Sequence, residues 1–142
     1  MARYLILNGP NLNLLGKREP AIYGTRTFED YLGELRTVFA AHTIELVQSN
    51  VEGEMIDALQ SAEDRFDGVV MNGAGFTHTS VALRDTIAGL TVPVVEVHIS
   101  NIHGREDFRQ HSLTAAKCVG CITGFGLDGY RMAIDHLLNR AR

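Results

Sequence analysis

Apolar, β-rich runs and amphipathic stretches take turns along the whole chain. Residues 3–8, 44–48, 68–72, 92–98 and 119–123 predict strands, because each is a short apolar run bounded by turn-forming or polar residues. Residues 27–41, 52–62, 80–89 and a segment around 128–140 predict helices, and 105–111 predicts a short polar one. Thr27 with Asp30 and Ser49 with Glu52 have the spacing of helix N-terminal caps. Parallel neighbours need crossover connections, and those connections are usually helical. The order therefore predicts an α/β fold, a flavodoxin-like three-layer sandwich with a five-stranded parallel sheet.

Sheets of this kind bind ligands beyond the carboxyl ends of their strands. Three loops carry polar side chains to that edge: Asn8-Gly-Pro-Asn11, Asn72-Gly-Ala-Gly-Phe-Thr-His78, and Glu96-Val-His98-Ile-Ser100-Asn101. Amides, imidazoles and hydroxyls from distant parts of the sequence are thus expected to meet.

Composition narrows the class. At 142 residues, 45% hydrophobic and 21% charged, the chain has the size and balance of a single domain spanning 1–142. A net charge of −4 with scattered positive residues gives no footprint for nucleic acid. The first apolar run breaks at Asn8-Gly9-Pro10, too soon for a signal peptide or a membrane span, so a soluble, cytoplasmic protein is expected. Two cysteines make no disulfide framework, which fits a reducing compartment.

Two motifs weigh toward structure. Gly124-Phe-Gly126-Leu-Asp-Gly129 fits G-x-G-x-x-G, but a dinucleotide site needs an acidic residue on a further strand about 20 residues on. The sequence stops at Arg142, short of that strand, so the glycines are expected to serve a tight turn and close packing of helix on sheet. Cys118-Val-Gly-Cys121 has redox or zinc spacing but lies at the start of a strand, where side chains three apart face opposite ways. Buried, inert thiols are expected.

Chemistry is concentrated elsewhere. His98 ends an apolar strand on the ligand edge, next to Ser100 and Asn101 and near Asn11 and Asn72, so a general-acid role suits it. Glu96 shares its strand face and could orient the imidazole or simply pair with it. Arg105 and Arg109 could hold an anion, with Arg109 favoured because Glu106 and Asp107 occupy the side of Arg105. His78-Thr-Ser80 precedes a helix whose start it should cap, and Asp85 by its surroundings is a surface charge. Arg18 and Tyr23 share a loop after the first strand. A tyrosine normally keeps its proton to about pH 10, but an adjacent cation lowers an acid's pKa by roughly 1–3 units, which makes Tyr23 a candidate base.

Together Gly9-Pro-Asn-Leu-Asn-Leu-Leu-Gly16, Arg18-Glu-Pro with Tyr23-Gly24, Thr77-His-Thr-Ser80, Glu96-Val-His-Ile-Ser-Asn101 and Arg105-Glu-Asp-Phe-Arg109 resemble type II 3-dehydroquinate dehydratase over nearly the whole chain. The resemblance implies trans elimination of water from 3-dehydroquinate through an enolate, giving 3-dehydroshikimate in the shikimate pathway or in quinate breakdown. It implies no metal and no cofactor. By likeness Tyr23 is the base, Arg18 lowers its pKa on a mobile lid, His98 protonates the leaving hydroxyl, and Asn11 holds the water or donor facing the enolate oxygen. Asn72, His78, Ile99, Ser100 and Arg109 match substrate contacts. Asp85 matches a residue reaching a neighbouring subunit's site, and the assembly implied is a homododecamer of trimers.

One departure is Asn72-Gly-Ala-Gly-Phe76, where the family usually reads Asn-Pro-Gly-Ala-Tyr. Losing the proline is expected to loosen Asn72. A Schiff-base route to the same product would need a buried lysine, and Lys17 and Lys117 lack apolar surroundings. The alternative function is a non-catalytic flavodoxin-like module holding an anion at the same edge, although such modules usually carry an acidic pocket or phosphate-cradling turn in place of Arg18 and Tyr23.

Overall fold

A computed structural model describes residues 1–17, 21 and 25–141. Five strands, β1 (Arg3–Asn8), β2 (Thr43–Gln48), β3 (Gly68–Asn72), β4 (Val94–His98) and β5 (Gly120–Thr123), form one sheet in the order β2-β1-β3-β4-β5. Every pairing is parallel. The helices are α1 (Phe28–Val38), α2 (Glu52–Ala62), α3 (Val81–Ala88) and α4 (Asp128–Arg140).

Alternation along the strands sorts the core into two layers. On β1, Tyr4 and Ile6 face α1 and α4, joining Phe28, Leu32, Leu35, Tyr130 and Ile134, whereas Leu5 and Leu7 face α2 and α3, joining Met55, Leu59 and Leu83. The buried positions of α1, Phe28, Tyr31, Leu32 and Leu35, recur at the three-and-four spacing of one helix face. Thr27 caps that helix by accepting a hydrogen bond from the Asp30 amide at 3.1 Å. Ser80 does the same for α3 through the Leu83 amide at 2.9 Å.

Ser49 works differently from the expected cap paired with Glu52. Its Oγ accepts from the Val51 amide at 2.9 Å and donates to Glu54, and Val51 is the N-cap residue of α2. The segment 105–111 is not a helix either. Only a 3-10 turn, Asp107–Arg109, lies within it, and another, Ile102–Gly104, precedes it. β4 starts at Val94 because Pro93 has no amide to give the ladder, although its carbonyl still accepts from the Val69 amide at 2.9 Å.

The chain leaves β1 for β2 on one side and returns to place β3 on the other. That reversal of strand order opens a crevice beyond Asn8 and Asn72, which pair across the two strand ends. Gly9 lets the two loops meet there, since a Cβ would lie 2.6 Å from the Gly73 carbonyl oxygen.

Candidate active site

A cavity of about 210 Å³ occupies this crevice, lined among others by Asn11, Asn72, His78, His98, Ile99, Ser100, Arg105 and Arg109. Leu12, Leu15 and Ile102 give it an apolar wall. Seven of the ten residues expected at the site therefore converge: Asn11, Asn72, His78, His98, Ile99, Ser100 and Arg109. Asp85 does not join them. It is exposed on α3, away from the cavity lining. Arg18 and Tyr23 lie outside the described residues.

His98 is buried at the end of β4, and its Nε2 lies 2.8 Å from Oε2 of Glu96. Two residues apart on one strand, both side chains leave the sheet on the same face. Glu96 is 0% exposed, yet its carboxylate is well supplied with donors. Ser112 Oγ donates to Oε2 at 2.8 Å, Thr114 Oγ1 donates to Oε1, and Cys121 Sγ lies 3.6 Å from Oε2. Burial pushes the Glu96 carboxyl up, but hydrogen bonds from His98 and Thr114, the His98 charge and the Ser112 bond outweigh it. The group sits below the ordinary carboxylate range. An ionised Glu96 accepts the Nε2 proton, so Nδ1 is the atom through which His98 can exchange a proton with a ligand.

His78 stacks beside His98 with ring centroids 6.3 Å apart. Its Nδ1 donates to the His111 carbonyl at 2.7 Å, which leaves Nε2 as the acceptor. Asn72 is held on three sides. Nδ2 donates to Tyr130 Oη at 3.1 Å, Oδ1 accepts from the Ala74 amide at 3.1 Å, and its carbonyl accepts from the Gly9 amide at 2.8 Å. These bonds tie Asn72 to the end of β1, to α4 and to its own turn in the loop that lacks the proline. Asn11 adopts a left-handed backbone, φ 71°, with its amide donating to Asn50 Oδ1 at 3.0 Å.

The two arginines differ from expectation. Glu106 approaches Arg109 at 3.1 Å and Arg105 only at 3.8 Å, so the carboxylate engages the cation that was favoured for substrate. Arg105 NH1 instead donates to Ser100 Oγ at 3.4 Å, on the cavity side. Sequence reasoning also missed Ser112 and Thr114. A buried glutamate needs donors, and a Ser-x-Thr just before the strand that pairs with it was the available signal.

Glu96, His98 and Cys121 offer ligand atoms within 4.8 Å of one another. Both carboxylate oxygens are already taken by hydroxyl donors, so the cluster reads as a hydrogen-bonded cage. The thiols are less buried than expected, Cys121 being exposed and Cys118 half-buried. Burial, then the Glu96 charge, pushes Cys121 up to about 12 and Cys118 upward as well, and both are poor nucleophiles.

The glycine motif serves structure. Gly124 and Gly126 have positive φ, and at Gly129 a Cβ would lie 3.1 Å from Val97 Cγ1, so the motif turns the chain and seats α4 on β4. Both lysines are exposed, and neither lines the cavity. No helix among the described residues is long and apolar enough to cross a membrane.

This arrangement has close relatives. A 3-dehydroquinate dehydratase of Bacillus pumilus (strain SAFR-032) is 54% identical over 141 residues, 98% of this chain and 96% of its own. One of Aliivibrio fischeri (strain MJ11) is 50% identical over 143 residues, 99% of this chain and 96% of its own. Among solved structures, the type II dehydroquinase from Propionibacterium acnes superposes with a TM-score of 0.93 at 40% identity, covering 98% of this chain and 97% of that one. The type II dehydroquinase from Butyrivibrio crossotus gives 0.91 at 44% identity, covering 96% and 97%. The family profile described as Dehydroquinase class II matches residues 2–138, so this chain, whose crevice gathers a Glu-backed histidine, two asparagines and two arginines, belongs to the class II dehydroquinases.

Proposed function

We propose that Tyr23, Arg18, His98 and Asn11 carry out the dehydration of 3-dehydroquinate that family membership gives this chain. The observation supporting it is His98, backed by a buried anion and opening through Nδ1 onto a cavity with two arginines.

Tyr23, as phenolate favoured by Arg18, takes a proton from the carbon next to the ketone. The electron pair moves into an enolate whose oxygen faces a donor held by Asn11. The enolate collapses to the enone and expels the hydroxyl on the opposite face, which leaves as water with a proton from His98. Asn72, His78, Ile99 and Ser100 orient the ring, and Arg109, with Arg105, takes the carboxylate. The role falls to either aromatic biosynthesis or quinate breakdown, since both use the step.

The functional unit is a single domain over residues 1–142, cytoplasmic, assembled as a homododecamer in which Asp85 reaches a neighbouring site. Its exposure on the single chain fits that role. Incubation with 3-dehydroquinate should produce enone absorbance in the ultraviolet, unaffected by borohydride. Tyr23→Phe should lower kcat by orders of magnitude, and full activity in that variant refutes the assignment. Light scattering on the purified protein reads the assembly.

A further inference from the structure

Thr114 is wholly buried and lies 18 positions from Glu96 in sequence, yet its hydroxyl donates to Oε1 of that carboxylate. Ser112 Oγ accepts the Ala115 amide at 3.0 Å, which turns its own proton toward Oε2 of Glu96 at 2.8 Å. The two hydroxyls lie 3.3 Å apart. Both oxygens of the glutamate are thus approached from the segment that leads into β5, while His98 approaches from β4.

We propose that Thr114 and Ser112 are positioning residues of the dehydration: their hydroxyls fix the Glu96 carboxylate against Nε2 of His98 and so hold Nδ1 toward the substrate. The inference rests on the proposed acid role of His98. A buried carboxylate without these donors would either rotate toward the thiols or take up a proton, and either change weakens the anion beside the imidazole. The depressed titration of Glu96 supports this, since the hydrogen bonds offset its burial.

Other groups facing the pair are Cys121 and Cys118 on the β5 side, His78 across the ring stack, and Arg105 and Arg109 across the cavity. Thr114→Val leaves all of them in place. It is nearly isosteric and exchanges the hydroxyl for a methyl group, which removes the bond to Glu96 and the contact with Ser112.

The test is the pH profile of kcat/KM on 3-dehydroquinate for the full chain, Thr114→Val and Thr114→Ser. A weaker anion stabilises imidazolium less, so in Thr114→Val the limb set by His98 should move to lower pH by roughly half to one unit, with the other limb fixed. Thr114→Ser should restore the profile. Glu96→Gln should move the same limb, and Thr114→Val added to it should then move it no further. If Thr114→Val does not fold, Thr114→Ala is read in the same way. Wild-type turnover with an unshifted limb in a folded variant overturns the positioning role alone. A wild-type chain that does not consume 3-dehydroquinate removes the acid role and this inference together.

Discussion

The Tyr130 hydroxyl on α4 accepts a hydrogen bond from Asn72 Nδ2 at 3.1 Å, at the carboxyl end of β3. It donates in turn to Asn8 Oδ1 at 2.8 Å, at the end of β1. One phenol, 0% exposed, therefore ties together the two strand ends that flank the reversal of strand order. Burial pushes this hydroxyl's pKa far up, so it stays a protonated donor at any working pH.

Tyr130→Phe removes that donor and strands two buried amides. The expected loss is about 1–3 kcal/mol, the usual desolvation cost of unsatisfied buried groups. Because Asn72 lines the cavity, KM for 3-dehydroquinate should rise as well. Urea denaturation and steady-state kinetics on the variant measure both, and unchanged values would mean that the triad holds nothing.

Ala74 has φ 50°, a left-handed conformation that costs a residue with a Cβ about 1–2 kcal/mol. Ala74→Gly relieves it, partly offset by the roughly 0.4–1 kcal/mol of extra freedom that glycine gives the unfolded chain. A net gain of about 0.5–1 kcal/mol is expected, read as a higher urea midpoint with an unchanged slope. The Ala74 amide donates to Asn72 Oδ1 at 3.1 Å, a backbone contact that the glycine variant keeps.

Much of this was legible in the sequence, and the reasons are specific. β1 and β3 are short apolar runs ending in Asn, and Thr27 has an Asp three residues on, so local chemistry and global fold agreed there. At 105–111 they diverged. Polar residues suggest a helix, but the segment spends its groups otherwise: Gln110 Nε2 folds back on the Arg105 carbonyl at 2.9 Å, and the His111 carbonyl accepts from the distant His78. A short helix there could not offset its own nucleation. Spacing along an α-helix puts Glu106 beside Arg105, whereas the 3-10 turn at Asp107–Arg109 brings it nearer Arg109. The Ser-x-Thr at 112–114 signals donors only once Glu96 is known to be buried, because its pairing with that carboxylate depends on how β5 is led in.

Two glutamates should give the protein a carboxylate-dependent acid limb of stability. Glu96 is depressed despite burial, through His98, Thr114 and Ser112. Glu63, at the surface, is depressed by the amides of Val92 and Thr91, which it meets at 2.7 to 2.9 Å. A folded pKa below the unfolded one gives stability that is fully present above the ordinary carboxyl range, near 4.5, and is lost as pH falls through the folded pKa. Between pH 7 and 3 the wild type should lose more stability than Glu63→Gln or Glu96→Gln. Parallel curves of unfolding free energy against pH would contradict both assignments.

The last prediction concerns the anion site. Glu106 is exposed, its carboxyl held low by Arg109, and it lies 3.1 Å from that guanidinium and 3.8 Å from Arg105. Under the proposed assignment of Arg109 to the substrate carboxylate, that carboxylate competes with Glu106. Exposed ion pairs are worth about 0–1 kcal/mol and are screened by salt, so the competition is modest. Removing the charge takes away the carboxylate that competes for Arg109, and Glu106→Gln should lower KM by about twofold at low ionic strength with kcat unchanged. At high salt the wild type and the variant should converge. A KM that instead rises at every salt concentration would show that Glu106 orients Arg109 for binding, because lost orientation, unlike lost competition, does not vanish on screening.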